Sequence, residues 1–262
     1  MPNEILLIQT VQIAPFRILI TALKDILLET NITFQKDGMR IVNMDKSHTI
    51  LVHLHLHSEH FERFICNKDK IIIGVNMSHF FKLINTIDNE ETLSIYIDEE
   101  DYNSGIVENL TLKFENKTKE QYKIQKLKLI EPDNEDLDIP QVKFSSIINL
   151  PSSDFQKIIR DLNVISEKLE IKSINNRLIF KCVGTFASAE IIRSESEEMS
   201  MVKKSDKIIQ GFYSLKNLNY FIKCTNLCNQ IEIYLDNDLP LIIKYNVASL
   251  GEIKLGLSPI PG

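Results

Sequence analysis

Phe16-Arg17-Ile18-Leu19-Ile20, followed by Leu23, returns 139 positions later as Phe155-Gln156-Lys157-Ile158-Ile159, followed by Leu162. Leu93-Ser94-Ile95-Tyr96-Ile97-Asp98 returns as Ile231-Glu232-Ile233-Tyr234-Leu235-Asp236, 138 positions on. Leu110-Thr111-Leu112-Lys113-Phe114 is echoed by Leu241-Ile242-Ile243-Lys244-Tyr245. Solenoid units recur every 20–50 residues or so, so a repeat of this length is a whole domain copied once. A chain of 262 residues accommodates two such domains.

Around these anchors the pattern reads as short strands with two helices per copy. Pro15 to Glu29 carries one apolar stripe at helical spacing: Phe16, Leu19, Ile20, Leu23, Ile26 and Leu27. Strands are expected at 32–34, 39–42, 50–57 and 70–75, with Asp37-Gly38 as a hairpin turn between the first two. A short helix from Ser78 to Asn85 precedes strands at 93–97, 110–114 and 122–129. The second copy repeats the order. A helix is expected after a Ser152-Ser153-Asp154 cap, then strands at 169–171, 178–183 and 187–193. A helix over 214–223 and strands at 231–235 and 241–245 complete it. The fold class is α+β: two similar domains, each with two short helices and antiparallel sheets.

Composition excludes several functions. Apolar residues make up 44% and charged residues 25%, ordinary for a globular chain. No apolar run approaches the roughly 18 residues that span a bilayer. Met1-Pro2-Asn3-Glu4 lacks the basic start of a secretory signal, so an intracellular protein is expected. Cys66, Cys182, Cys224 and Cys228 are scattered and read as buried free thiols. No Walker loop or dinucleotide glycine fingerprint occurs, so no cofactor is expected.

The net charge of −6 argues against global attraction to nucleic acid. Five of the acids lie between the copies, in Glu131-Pro132-Asp133-Asn134-Glu135-Asp136-Leu137-Asp138-Ile139-Pro140. This proline-bracketed stretch reads as an extended linker. Leu137 and Ile139 alternate with acids and point the same way if it is extended. The helices are charged oppositely. Arg17 and Lys24 share a face of the first helix, Lys82 lies on the second, Lys157 and Arg160 on the third, and Lys216 and Lys223 on the fourth. Four such faces on one surface would make a basic wall on an acidic protein, suited to phosphates rather than bases.

The chain resembles the DNA sliding clamps of the proliferating cell nuclear antigen family. The resemblance rests on Ala22-Leu23-Lys24-Asp25, Asn43-Met44-Asp45-Lys46-Ser47-His48, Leu54 and Leu56 with Ser58-Glu59, and Gly74-Val75-Asn76. It continues through Leu137-Asp138-Ile139-Pro140, Leu150-Pro151-Ser152, Phe155, Arg160-Asp161-Leu162 and Asp238-Leu239-Pro240-Leu241, in register along essentially the whole chain. It implies a toroidal trimer, helices lining the hole. The domains would be an N-terminal one at 1–128, a connecting loop at 129–143 and a C-terminal one at 144–262. Arg17, Lys24, Lys82, Lys157, Arg160, Lys216 and Lys223 would face double-stranded DNA. Met44, His48, Leu51, Leu137, Ile139, Pro240 and Leu257 would form an apolar pocket for peptides of DNA polymerase and other partners. The subunit edges would lie near 122–128 and 189–193, with Tyr122, Ile124, Ala189 and Ile191 at the interface. A clamp loader would supply the ATP chemistry, and the setting would be the nucleus or a viral replication site.

Departures from the family pattern stand at Ile18 and Asn85, usually basic, and at Gly256, usually a pocket tyrosine. Thr49 replaces an apolar residue, and Asn175 a modifiable lysine. The same resemblance leaves room for one subunit of a heterotrimeric checkpoint-type clamp. An enzyme reading rests on His55-Leu56-His57-Ser58-Glu59-His60, which resembles a metallohydrolase motif with Glu in place of its Asp. That motif needs further histidines downstream, and the last histidine here is His79. The expectation is therefore a non-enzymatic processivity factor with no bound metal.

Overall fold

The computed structural model describes residues 4–103, 105–133, 137, 139–140 and 142–261, Asn103 by its backbone alone. The first half runs β1 (Glu4–Thr10), α1 (Ile13–Ile26), β2 (Glu29–Gln35), β3 (Gly38–Met44), β4 (Ile50–His57), β5 (Arg63–Cys66), β6 (Ile71–Asn76), α2 (Met77–Ile84) and β7 (Thr92–Asp98). A two-strand hairpin, β8 (Tyr102–Asn103) and β9 (Ile106–Val107), precedes β10 (Asn109–Asn116) and β11 (Gln121–Lys128). The second half runs β12 (Ser146–Pro151), α3 (Ser152–Asn163), β13 (Lys168–Ile174), β14 (Arg177–Val183), β15 (Ser188–Ser194), β16 (Ser200–Lys203), β17 (Ile209–Ser214) and α4 (Leu215–Phe221). A 3₁₀ stretch (Ile222–Leu227), β18 (Gln230–Leu235), β19 (Leu241–Val247) and β20 (Gly251–Leu257) finish it.

The chain divides into two units. One comprises Met1–Lys46, His53–Leu137 and Val247–Glu252; the other comprises Ser47–Val52, Asp138–Asn246 and Ile253–Gly262. In the first, one sheet has the order β11-β10-β7-β1-β5, and a run of strands within another has the order β4-β3-β2-β6. In the second, a run has the order β20-β19-β18-β12-β16, and a four-stranded sheet has the order β15-β14-β13-β17. The two pairs of orders match strand for strand, and neighbouring strands run antiparallel. The α+β fold with two short helices per copy is borne out, and the duplication seen in the sequence is a duplication of topology.

Local rules explain the elements. β2 and β4 alternate buried and half-exposed residues, the mark of a sheet with one buried face. α1 buries Phe16, Leu19, Ile20, Leu23 and Ile26, and α2 buries Met77, Phe80 and Ile84; the two meet edge-to-face at Phe16 and Phe80, centroids 6.4 Å apart. α3 buries the matching stripe of Phe155, Ile158, Ile159 and Leu162. Gly38 has φ +148°, and a Cβ there would lie 2.0 Å from the Leu56 carbonyl oxygen, so the Asp37-Gly38 turn needs its glycine.

Four expectations are corrected. α1 stops at Ile26 rather than Glu29, because Glu29-Thr30-Asn31-Ile32-Thr33 joins β2, where β-branched residues fit. Pro15 lies in its first turn, where no N–H is lost. Ser152 does not cap α3; Pro151 is the N-cap with no side-chain bond, and the Ser152 hydroxyl reaches the Cys228 and Thr225 carbonyls at 2.5 and 3.1 Å. The last helix ends at Phe221 and tightens into the 3₁₀ stretch. Cys228 is only half-buried, unlike the other three cysteines.

Candidate nucleic-acid interface

The expected basic residues fall on the four α-helices, except Lys223, which the early end of α4 places in the 3₁₀ stretch after it, and they differ in freedom. Lys82, Lys157, Arg160, Lys216 and Lys223 are exposed, whereas Arg17 and Lys24 are half-buried. Arg17 donates to the Ile87 carbonyl at 3.1 Å and to Asn89 Oδ1, so its guanidinium is engaged by the loop after α2. The Lys24 ammonium sits 4.3 Å over the Phe81 ring and 3.4 Å from Asp25. Lys157 pairs with Asp161 at 2.5 Å, one turn along α3, and this partner raises its pKa. The Lys223 ammonium lies 5.6 Å from the Tyr220 ring. Such cation–π seats and one-turn ion pairs hold long side chains upright without burying their charge.

The expected subunit edges are sheet edges. β11 ends one sheet of the first unit, and β15 ends one sheet of the second. Tyr122 is 65% and Ile124 50% exposed on β11. With Gln9, Ser94, Tyr96 and Lys113 they line a hollow of about 430 Å³. On β15, Ala189 and Ile191 are half-buried. Sequence reading missed the larger apolar groups beside them: Phe186 is 73%, Val164 74% and Val183 67% exposed. The Ser166 hydroxyl donates to the Val183 carbonyl, and a Cβ on Gly184 would lie 1.9 Å from the Ile165 carbonyl oxygen. The β14–β15 turn is thereby held tightly to the end of α3. An apolar run broken by Gly184 beside an edge strand was the available signal.

Lys123 on β11 donates to the Thr86 carbonyl at 3.2 Å and hydroxyl at 2.9 Å. The same loop receives Arg17 at Ile87 and Asn89. One loop therefore ties a sheet edge to a basic helix face within the first unit.

Of the expected pocket residues in the first unit, Met44 is half-buried at the end of β3, and Leu137 lines a cleft beside β6. In the second unit Leu51 and Ile139 are half-buried, and His48 and Pro240 exposed. Leu257 is only 1% exposed, so it is core rather than surface. At Gly256 an added Cβ would meet Ile242 Cδ1 at 3.0 Å and Leu51 Cβ at 3.2 Å. Two aliphatic side chains therefore crowd the position of the expected tyrosine's Cβ. Thr49 has a polar role: its hydroxyl accepts from Asn217 at 3.3 Å, and its carbonyl accepts from the Ser258 N–H at 3.0 Å.

The histidines alternate along β4 as expected, with the His55 and His57 rings 4.2 Å and the His57 and His60 rings 5.6 Å apart. Among the described residues, no three His, Cys, Asp or Glu side chains converge on a metal position. His55 Nε2 is buried without a hydrogen-bond partner, 3.9 Å from Asp37. Burial, then the charge of Arg40, depresses the His55 pKa. Burial pushes the Cys224 thiol up to about 12, which leaves it inert as a nucleophile.

Residues 6–137 match the family described as proliferating cell nuclear antigen, N-terminal domain, and residues 138–260 match its C-terminal domain. A relative from Paramecium bursaria Chlorella virus 1, described as probable DNA polymerase sliding clamp 1, is 31% identical over 98% of both chains. A relative from Acanthamoeba polyphaga mimivirus, described as probable DNA polymerase sliding clamp, is 33% identical over 85% of this chain. The aligned part is 47% of that relative's length. With both family domains matched in order on a duplicated clamp topology, the chain belongs to the proliferating cell nuclear antigen family.

Proposed function

We propose that this protein is a DNA sliding clamp that tethers DNA polymerase to duplex DNA, without chemistry of its own. The observation that carries the reading is the family match of both domains, joined to basic residues on the helices of both copies. Arg17, Lys24, Lys82, Lys157, Arg160, Lys216 and Lys223 are the proposed DNA-facing set. Within it, the exposed Lys82, Lys157, Arg160, Lys216 and Lys223 would make most phosphate contacts, and Arg17 and Lys24 would brace α2. Contacts of this kind are sequence-independent and, when weak and shared with water, compatible with sliding.

The assembly is a homotrimer closed by β11 of one subunit against β15 of the next, with Tyr122, Ile124, Ala189 and Ile191 joined by Phe186. Head-to-tail edge pairing consumes both open edges when the ring closes. The working domain boundaries are 1–128, 129–143 and 144–262. Met44, His48, Leu51, Leu137, Ile139 and Pro240 would meet partner peptides from the polymerase, with Leu257 behind them. A clamp loader would open the ring, at an intracellular or viral replication site.

The test is processive synthesis by a cognate polymerase on primed circular DNA. Replacing Lys82, Lys157 and Lys216 together with Glu is expected to abolish stimulation while native mass spectrometry still shows the trimer. The corresponding Ala variants should lower the slope of log affinity against log salt by about 0.9 for each phosphate no longer neutralised. Full stimulation by the Glu variant would overturn the channel assignment.

A further inference from the structure

The two copies treat one equivalent strand edge differently. β6 ends the run β4-β3-β2-β6, and β17 ends the sheet β15-β14-β13-β17. In the first copy the Gly74 carbonyl accepts from the N–H of the passing Ile130 at 3.0 Å. In the second, the Phe212 carbonyl accepts from the passing Ile260 at 2.8 Å. Gly74 and Phe212 are therefore equivalent, and both turn their backbone groups away from the sheet. Alternate residues of an antiparallel strand face the same side. Ile72 and Gln210, two residues earlier, thus also aim their N–H groups outward.

At Gln210 that N–H is satisfied. It donates to Asn237 Oδ1 at 2.9 Å, and Asn237 Nδ2 donates to the Ile208 carbonyl at 3.0 Å. The Asn237 amide thus imitates one residue of an adjoining strand. It comes from the five-residue connection between β18 and β19. The equivalent connection in the first copy, between β7 and β10, has ten residues and carries the β8–β9 hairpin. Among the described residues no group is bonded to the outward Ile72 N–H.

The half-exposed Ile72 also lines a cleft of about 1140 Å³, slightly above the usual range for ligand sites. Its sheet wall carries Thr33, Val42 and Ile72, its hairpin wall Ile106 and Val107, and its third wall Leu129 and Leu137, so it adjoins the proposed polymerase-peptide set and the inference rests in part on that reading. Ile106 is 67% exposed. Lys70 and Lys128 share the rim with Glu108 and Glu131, so neither sign of charge dominates.

We propose that this cleft accepts an extended peptide segment of a partner protein, added as a strand to the β6 edge. Its backbone would take the place that the Asn237 amide fills in the second copy, with a carbonyl accepting the Ile72 N–H. Apolar side chains at alternate positions would meet Ile72 and Ile106. Backbone pairing supplies the affinity and the alternate pockets the specificity in such complexes. A folded sheet edge, such as that of a second copy, is a poor fit, because the hairpin and the 129–133 segment flank the open position. The proposal does not depend on DNA or on ring closure.

The test uses a displayed library of random 12-residue peptides, selected on the full chain and counter-selected on Ile106→Asp. Enriched peptides with alternating apolar residues are expected. Their affinity should fall at least 10-fold on Ile72→Pro, which removes the outward N–H without removing a ladder bond. N-methylation of single peptide amides should do the same at alternate positions. Hydrogen exchange at the Ile72 amide should slow when the unmodified peptide binds. Absence of any peptide sensitive to Ile106→Asp, or binding that leaves Ile72 exchange unchanged, overturns the proposal. So does slowing at Ile72 that grows with protein concentration in the absence of peptide, which would make the occupant a second copy. Polymerase stimulation, measured on both variants, is expected to be unchanged; its loss in wild type would count against the clamp reading alone.

Discussion

Single residues carry strain and charge that the pattern of apolar positions does not reveal. Gly184 allows the β14–β15 turn to touch the Ile165 carbonyl, where a Cβ would come within 1.9 Å. Gly184→Ala is expected to cost about 3 kcal/mol, the scale of overpacking against backbone, read as a lower urea midpoint. His55 gives a pH signature. Its folded-state pKa lies below the ordinary 6.5, because burial and Arg40 disfavour the imidazolium, with smaller contributions from His57 and His53 against Asp37. Below pH 6.5 the unfolded chain therefore takes up a proton that the folded chain resists. Stability is full above 6.5 and falls as the pH drops toward the depressed folded value. His55→Gln should flatten that part of the curve of unfolding free energy against pH, relative to wild type.

Elements follow the sequence where one face is buried and depart from it where a neighbour decides. Ser152 shows the difference. Its place before an apolar stripe suggested a cap, yet its hydroxyl serves the carbonyls of Thr225 and Cys228. Ser152→Ala should cost about 1–2 kcal/mol by leaving buried carbonyls without their donor. Ser153→Ala should be nearly neutral, as measured by thermal unfolding. The α1 and α3 stripes, the Asp37-Gly38 turn and the strands at 50–57 and 178–183 were legible because each is fixed by local period or turn chemistry. β1, β5, β12, β16, β17 and β20 were not assigned from the sequence. β5 and β16 are four residues long, too short for an alternation to register. The β8–β9 hairpin sits in a stretch where acids masked the turn. Among the candidate site residues, helix position was readable, but engagement was not: nothing in the sequence ties Arg17 to Ile87 and Asn89, 70 and 72 positions away.

The whole molecule turns on edges that end without a partner strand. If β11 meets β15 head to tail, each subunit needs both edges to close a ring. Tyr122→Asp with Ile124→Asp should leave the chain open at one edge, and Phe186→Asp with Ile191→Asp at the other. Each variant alone should fall to monomer in light scattering. Mixed together they should form a one-to-one dimer, because each retains the edge the other has lost. A trimer from the mixture would show a different contact. Gly256 has a consequence at this scale for competition among ligands. A side chain begun at Gly256 would meet Ile242 Cδ1 at 3.0 Å and Leu51 Cβ at 3.2 Å, both aliphatic carbon. If Leu51 lies in the partner pocket, an inhibitor shaped to that aliphatic surface is expected to bind this protein more tightly than its Gly256→Tyr variant, as read by calorimetry.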